Sequence, residues 1–148
     1  FAPFFAGAAG PGHIWHWDAY VAKNDLWWHF GRFAQAVADL DPAAEAFQVQ
    51  QVEHPRLRIL VLRGKHTVLA WCRDSQATWQ TVLAEGRAPE TLHNIAVTLP
   101  VPTEGGNALT TSAYDPWTGQ RTSLTAADQG KVTLPAFSRS MVVRLRCK

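Results

Sequence analysis

The sequence predicts a mainly β chain, an antiparallel β-sandwich preceded by one strand-helix unit. Three observations carry that prediction. Seven short stretches rich in β-branched and aromatic residues follow one another between Phe47 and Cys147, separated by Gly, Pro or Asp. The connections between them leave no room for long crossover helices, which favours antiparallel pairing over a parallel sheet. Ahead of them, one segment repeats its apolar residues at helical steps of three and four.

With 148 residues the chain is long enough for one compact unit with a real core. Its residues are 47% hydrophobic and 18% charged, and no window approaches the roughly 18 uninterrupted apolar residues of a membrane span, so no membrane partner is expected. The net charge of +2 comes from Lys and Arg scattered among acids. A clustered basic stretch is absent from the sequence, so nucleic acid is not an expected partner either.

The chain opens on "FAPFFAGAAGPG", an apolar run without an initiator Met or a basic leader region, which reads like the interior of a longer protein. After Gly-Pro-Gly, "GHIWHWDAY" (Gly12 to Tyr20) is short and rich in rings, as a buried strand entered from a tight turn would be. Leu26, Phe30, Phe33, Val37 and Leu40 then predict a helix from about Asp25 to Leu40, with Asn24 as its cap and Asp25 in its first turn. Pro42 ends it, because proline cannot donate into a continuing helix and biases Asp41 away from helical geometry. Residues 1–42 thus form one strand-helix unit, and residues 43–148 form the sandwich.

The predicted strands of the second part are Phe47 to Glu53, Arg56 to Gly64, His66 to Asp74, Leu92 to Pro100, Ala108 to Asp115, Lys131 to Pro135 and Ser140 to Cys147. Their number and spacing suit an immunoglobulin-like sandwich. "RGKH", "EGRAPET", "TEGGN", "DPWTGQ" and "ADQG" supply the turn residues between them, and "ATWQTVLAEG" reads as a single helical turn or a crossover loop. The first part poses a problem of burial. A lone strand-helix unit leaves both faces of its strand open unless more units cover them. It therefore belongs to a larger barrel or packs on the sandwich.

Four of the seven tryptophans fall between Trp15 and Trp28. On a strand, Trp15 and Trp17 share a face with His13, and paired indoles at a strand end suit the apolar C–H face of a sugar ring, with Asp18 and His16 beside them to bond hydroxyls. Core packing is the competing reading of the same rings. Trp27 and Trp28 point about 100° apart on a helix, so at most one faces inward. No pair among His13, His16 and His29 is supported by a third ligand at suitable spacing, so no metal and no other cofactor is expected. Asp18 and Asp25 could form a carboxylate pair, yet Asp25 is accounted for as a first-turn residue, and no catalytic residue is assigned in the chain. Gly-rich phosphate loops, nucleophile elbows and Cys/His nucleophile pairs are missing. Trp117, inside a type I turn opened by Asp115-Pro116 and closed by Gly119, either covers the edge of the core or stands out as a secondary glycan contact. Cys72 and Cys147 lie in predicted strands, where they form one disulfide in an exported protein or remain two buried thiols.

The stretch "FFAGAAGPGHIWHWDAYVAKNDLWWHFGRFAQAVADLD" resembles the end of the catalytic barrel in clan A glycoside hydrolases, the cellulase- and mannanase-like superfamily. There a helix ending "aGaaG" leads into barrel strand eight with its W-x-W-D cluster, and an "N-x-L-x-x-x-F" helix follows. "VLAWCRDSQATWQTVL", "AYDPWTGQ", "VTLPAF" and "SMVVRLR" are similar to the small C-terminal β-sandwich often joined to such barrels. The resemblance implies that most of the barrel lies upstream of Phe1, together with the two catalytic glutamates that end strands four and seven in retaining enzymes. It implies a carbohydrate substrate, with Trp17 as the stacking ring and Trp15 and Asp18 as its neighbours. Two further readings stand beside it. In one the sandwich itself binds glycans through Trp79 and Trp117; in the other it is a scaffold, and apolar surface on the strand-helix unit drives self-association of the isolated chain.

Overall fold

The computed structural model describes residues 1–12, 15–105, 109–125 and 128–147. Three short α-helices lead the chain: α1 (Ala2–Phe5), α2 (Trp28–Ala36) and α3 (Pro42–Glu45). The strands follow as β1 (Gln48–Val52), β2 (Leu57–Arg63), β3 (Thr67–Asp74), β4 (Thr91–Leu92), β5 (Ala96–Thr98), β6 (Leu109–Tyr114), β7 (Arg121–Leu124), β8 (Lys131–Thr133), β9 (Phe137–Ser138) and β10 (Ser140–Cys147). The molecule is mainly β, and all its described pairings are antiparallel. His13, Ala108 and the predicted turn residues Gly106, Asn107 and Ala127 lie outside the described residues.

A six-stranded sheet in the order β1-β2-β3-β10-β6-β7 forms the frame. Its central strands bury both faces. Ile59, Val61, Val68, Ala70, Cys72, Val143 and Leu145 alternate onto one side, where Leu92, Val97, Leu99, Val132, Leu134 and Phe137 from two small ribbons, β4-β9 and β5-β8, close over them. Leu62, Leu69, Tyr114 and Val142 face the other side and meet Phe4, Phe5, Phe33 and Ala36 of α1 and α2. The period-2 alternation of strand side chains therefore feeds two cores rather than one core and a wet face. The N-terminal helices α1 and α2 thus pack on the sheet.

Several elements differ from the sequence reading. The stretch Leu92 to Pro100 splits into β4 and β5 because Asn94 adopts φ 54, outside the extended region. Gly130, at φ +79, sits so close to the carbonyl of Leu99 that a β-carbon would collide with it, and the Leu99 N–H donates to the Gly130 carbonyl at 2.9 Å. Strand β7, "RTSL", is largely exposed and carries no apolar pattern to betray it; its ladder with β6 defines it. The "ATWQTVLAEG" stretch supplies a π-helical turn, Gln80–Ala84.

The predicted N-terminal strand is a correction. Residues Trp17–Ala22 form a π-helical turn, with Val21 buried and the rings around it exposed. A strand needs a neighbour to take its N–H and C=O groups, and none lies beside this segment among the described residues; a helical turn satisfies them locally. The Tyr20 N–H donates to the His16 carbonyl at 2.8 Å and the Leu26 N–H to Val21 at 2.9 Å. Helix α2 is likewise shorter than Asp25 to Leu40. Asp25 has φ 50 and Asp39 φ 61, and the Asn24 amide donates back to Tyr20 at 2.8 Å instead of capping forward. The helix therefore ends at Ala36, before Pro42 is reached, and Pro42 instead starts α3, whose cap is Asp41: its Oδ1 accepts the N–H groups of Ala43 and Ala44 at 3.0 Å.

Helix α3 is fastened to the β2-β3 hairpin by one buried carboxylate. Glu45 Oε2 accepts the N–H groups of His66 at 2.9 Å and Thr67 at 3.0 Å, and Gly64 leaves the room that carboxylate occupies. Replacing Glu45 by Ala orphans two backbone donors and is expected to cost about 2–3 kcal/mol, read as a lower urea midpoint with an unchanged slope.

The disulfide alternative is excluded by register. Cys72 pairs with Met141, so Cys147 lies six residues further along β10, about 20 Å away, and both thiols are free. Burial pushes the Cys72 thiol up to about 12, whereas Cys147 is partly accessible and donates to the Glu104 carbonyl. A thiol-specific disulfide reagent at pH 8 should titrate Cys147 in the native chain and Cys72 only after denaturation.

Candidate functional site

Trp15, Trp17 and Asp18 sit on and just before the π-helical turn rather than on a strand. Trp15 is 89% exposed and has no aromatic partner among the described residues, while Trp17, 53% exposed, leans on Trp27 at 6.1 Å between ring centroids. Trp27 continues to Phe30 at 5.9 Å. The two indoles predicted to share a face are thus separated, and the Asp18 side chain forms no hydrogen bond or ion pair among the described residues. Tyr20 and Trp28 are exposed on the same segment. Among the described residues no three His, Cys, Asp or Glu side chains gather around a common point that could hold a metal, and no helix is long and apolar enough to cross a membrane.

A second group of rings forms around the β6-β7 hairpin. Asp115 builds that turn: its Oδ1 accepts the N–H of Trp117 at 2.7 Å and of Thr118 at 3.3 Å, while Gly119 donates to its carbonyl at 2.8 Å. The turn holds Trp117 half-exposed against the start of α2, at 6.0 Å from Trp28 and 5.9 Å from His29. His29 stacks on Trp28 at 3.6 Å, and burial holds its imidazole below the usual histidine value, so a neutral ring lies on the indole at pH 7. From the other side the Arg139 guanidinium covers Trp117 at 4.4 Å. Trp117 thus packs against Trp28, His29 and Arg139 and keeps 40% of its surface exposed.

Between Trp117 and Trp79 runs a groove of about 390 Å³ whose lining includes Trp71, Val82, Leu83 and Arg139. Trp79 is 65% exposed and stands just before the π-helical turn Gln80–Ala84, which Thr78 and Thr81 brace: Thr81 Oγ1 donates to the Gln76 carbonyl at 2.7 Å, and the Val82 N–H donates to Thr78 at 2.9 Å. Trp71 carries a buried indole N–H without an acceptor among the described residues. The groove therefore combines ring faces with a guanidinium, while the Trp71 N–H stays buried beneath it. Trp71 and Arg139 were not legible in the sequence, since they reach the groove only through the β3-β10 pairing and the turn at Arg139, which has φ 67.

No family model matches the sequence, and comparison with curated proteins finds no significant similarity.

Gly119, at φ +78, lies directly under the Arg32 guanidinium, where a β-carbon would collide. Gly119→Ala is expected to cost about 1–2 kcal/mol from backbone conformation alone and to displace Arg32, visible as lower thermal stability with altered Trp117 emission.

Proposed function

We propose that this chain is the C-terminal part of a clan A glycoside hydrolase, comprising the last strand-helix unit of the barrel and an accessory immunoglobulin-like sandwich. The observation that carries this reading is the run of exposed rings on one short segment: Trp15, Trp17, Tyr20, Trp27 and Trp28. Exposed apolar surface of this kind marks a face made for a ligand or for more protein.

In this reading the complete protein cleaves a glycosidic bond by double displacement. One glutamate attacks the anomeric carbon while the other protonates the leaving oxygen, then activates the water that releases the sugar. Both belong to the barrel, and this chain alone has no hydrolase activity. Its contribution is the stacking surface of Trp17, with Trp15 and Asp18 as neighbours. In the full-length protein, Trp17→Ala is expected to lower kcat/KM about tenfold, and Trp117→Ala to have a smaller effect. Equal effects in steady-state kinetics sink the assignment of Trp17.

The groove between Trp79 and Trp117 favours a second reading, in which the sandwich binds glycans itself. The isolated chain then binds a soluble polysaccharide with a shift in tryptophan emission that Trp79→Ala removes. Silence across a broad glycan panel counts against it.

A further inference from the structure

Four arginines from α2, β7 and β10 converge on one cleft on the side of the sheet that carries α2. Arg32, Arg121, Arg144 and Arg146 line a space of about 630 Å³, within the range of small-ligand sites, and Asp39 is the one carboxylate among its described lining residues. The register explains the gathering. Arg144 lies opposite Ser112, which lies opposite Ser123, so one row across β10, β6 and β7 reads Arg-Ser-Ser. The neighbouring rows add Arg146 opposite Thr110 and Tyr114 opposite Arg121, and side chains in such rows stand about 5 Å apart. Helix α2 supplies the wall through Arg32 and Gln35.

Part of this charge has a structural use. Arg121 donates to the Gln35 carbonyl at 2.7 Å, and Arg144 donates to Ala36 at 2.8 Å and Ala38 at 3.0 Å, which satisfies the carbonyls at the end of α2. The remainder is unanswered. None of the four arginines makes an ion pair among the described residues, and Arg144 Nε is buried without an acceptor among them. Burial, then the charges of Arg121 and Arg146, hold the Arg144 guanidinium below its usual value, with Asp39 alone opposing them.

We propose that this cleft binds a small hydroxylated acid, its oxyanion held by Arg144, Arg121 and Arg146 and its hydroxyls by Ser112 and Ser123. Guanidinium groups match carboxylate and phosphate oxygens in charge and geometry, and the serines offer donors and acceptors beside them. The proposal is independent of the glycoside hydrolase reading, because it uses neither the exposed tryptophans nor a barrel.

The test titrates the full chain with inorganic phosphate, with glucuronate and with glucose, each against sodium chloride at equal ionic strength. Saturable movement of the Arg144 Nε–H resonance and a rise in Tm of about 4 °C at ten times Kd are expected with phosphate, glucuronate or both, and none with glucose. Phosphate alone identifies a phosphorylated ligand, and glucuronate alone a carboxylate. The Arg146 guanidinium has no hydrogen bond or ion pair among the described residues, and its ladder and Thr110 contacts are made by its backbone, so Arg146→Gln should fold normally and bind about tenfold more weakly. Ser123→Asp places a carboxylate in the cleft; it should raise the ligand-free Tm and abolish the ligand response. The proposal is overturned if neither anion moves the Arg144 resonance beyond the chloride control, or if Arg146→Gln binds as tightly as the parent chain.

Discussion

The sheet at the centre of this molecule is apolar on both faces, and the rest of the chain is arranged to cover them. Val68, Ala70 and Cys72 of β3 point to one side while Leu69 and Trp71 point to the other, and β2 and β10 repeat the same division. Leaving either side wet would expose a continuous row of large side chains, each worth about 1.5–3 kcal/mol when buried. Two different covers solve the problem. Short ribbons, interrupted where Asn94 leaves the extended region, close one face, and helices from the N-terminal segment close the other.

That division of labour sets what remains available for binding. The helical cover is smaller than the face it lies on. Phe4, Phe5 and Phe33 meet Leu69 and Tyr114, and the phenylalanines extend to Trp71, with Phe5 at 6.1 Å. Toward β7 the face turns polar, and there the arginines both hold the end of α2 and line an open cleft. Toward the β6-β7 turn the same helix presents Trp28 and His29 to Trp117, and the groove begins. Both candidate binding surfaces are therefore margins of one helix-on-sheet contact.

The frame of the sheet was readable from residue types. The strands from Gln48 to Val52, Leu57 to Arg63, Thr67 to Asp74, Leu109 to Tyr114 and Ser140 to Cys147 lie inside the stretches that β-branched and aromatic residues mark out. Strand β7 was not readable, because an exposed edge strand needs only a ladder and carries no apolar alternation. The stretch from Trp15 to Tyr20 failed in the opposite direction: its composition suits a strand, but a strand exists only with a partner, and the chain turns helically from Trp17 without one among the described residues. Of the proposed site residues, Trp17 and Trp117 are exposed enough to meet a ligand, while Trp15 and Trp17 do not form the shared face that alternation implied.

What the sequence determined by itself is local: where β1, β2, β3, β6 and β10 lie, that Asp41 ahead of Pro42 is held out of helical geometry, and that Asp115 and Gly119 shape a tight turn around Trp117. These depend on a residue and its near neighbours. Which cysteines face each other, which arginines share a cleft and which rings share a groove follow from strand register and from the helix laid across the sheet. A shift of one residue in pairing turns every side chain to the opposite face. Only the tertiary structure fixes that register, so Arg144 beside Ser112, and Cys147 far from Cys72, had no counterpart in residue spacing.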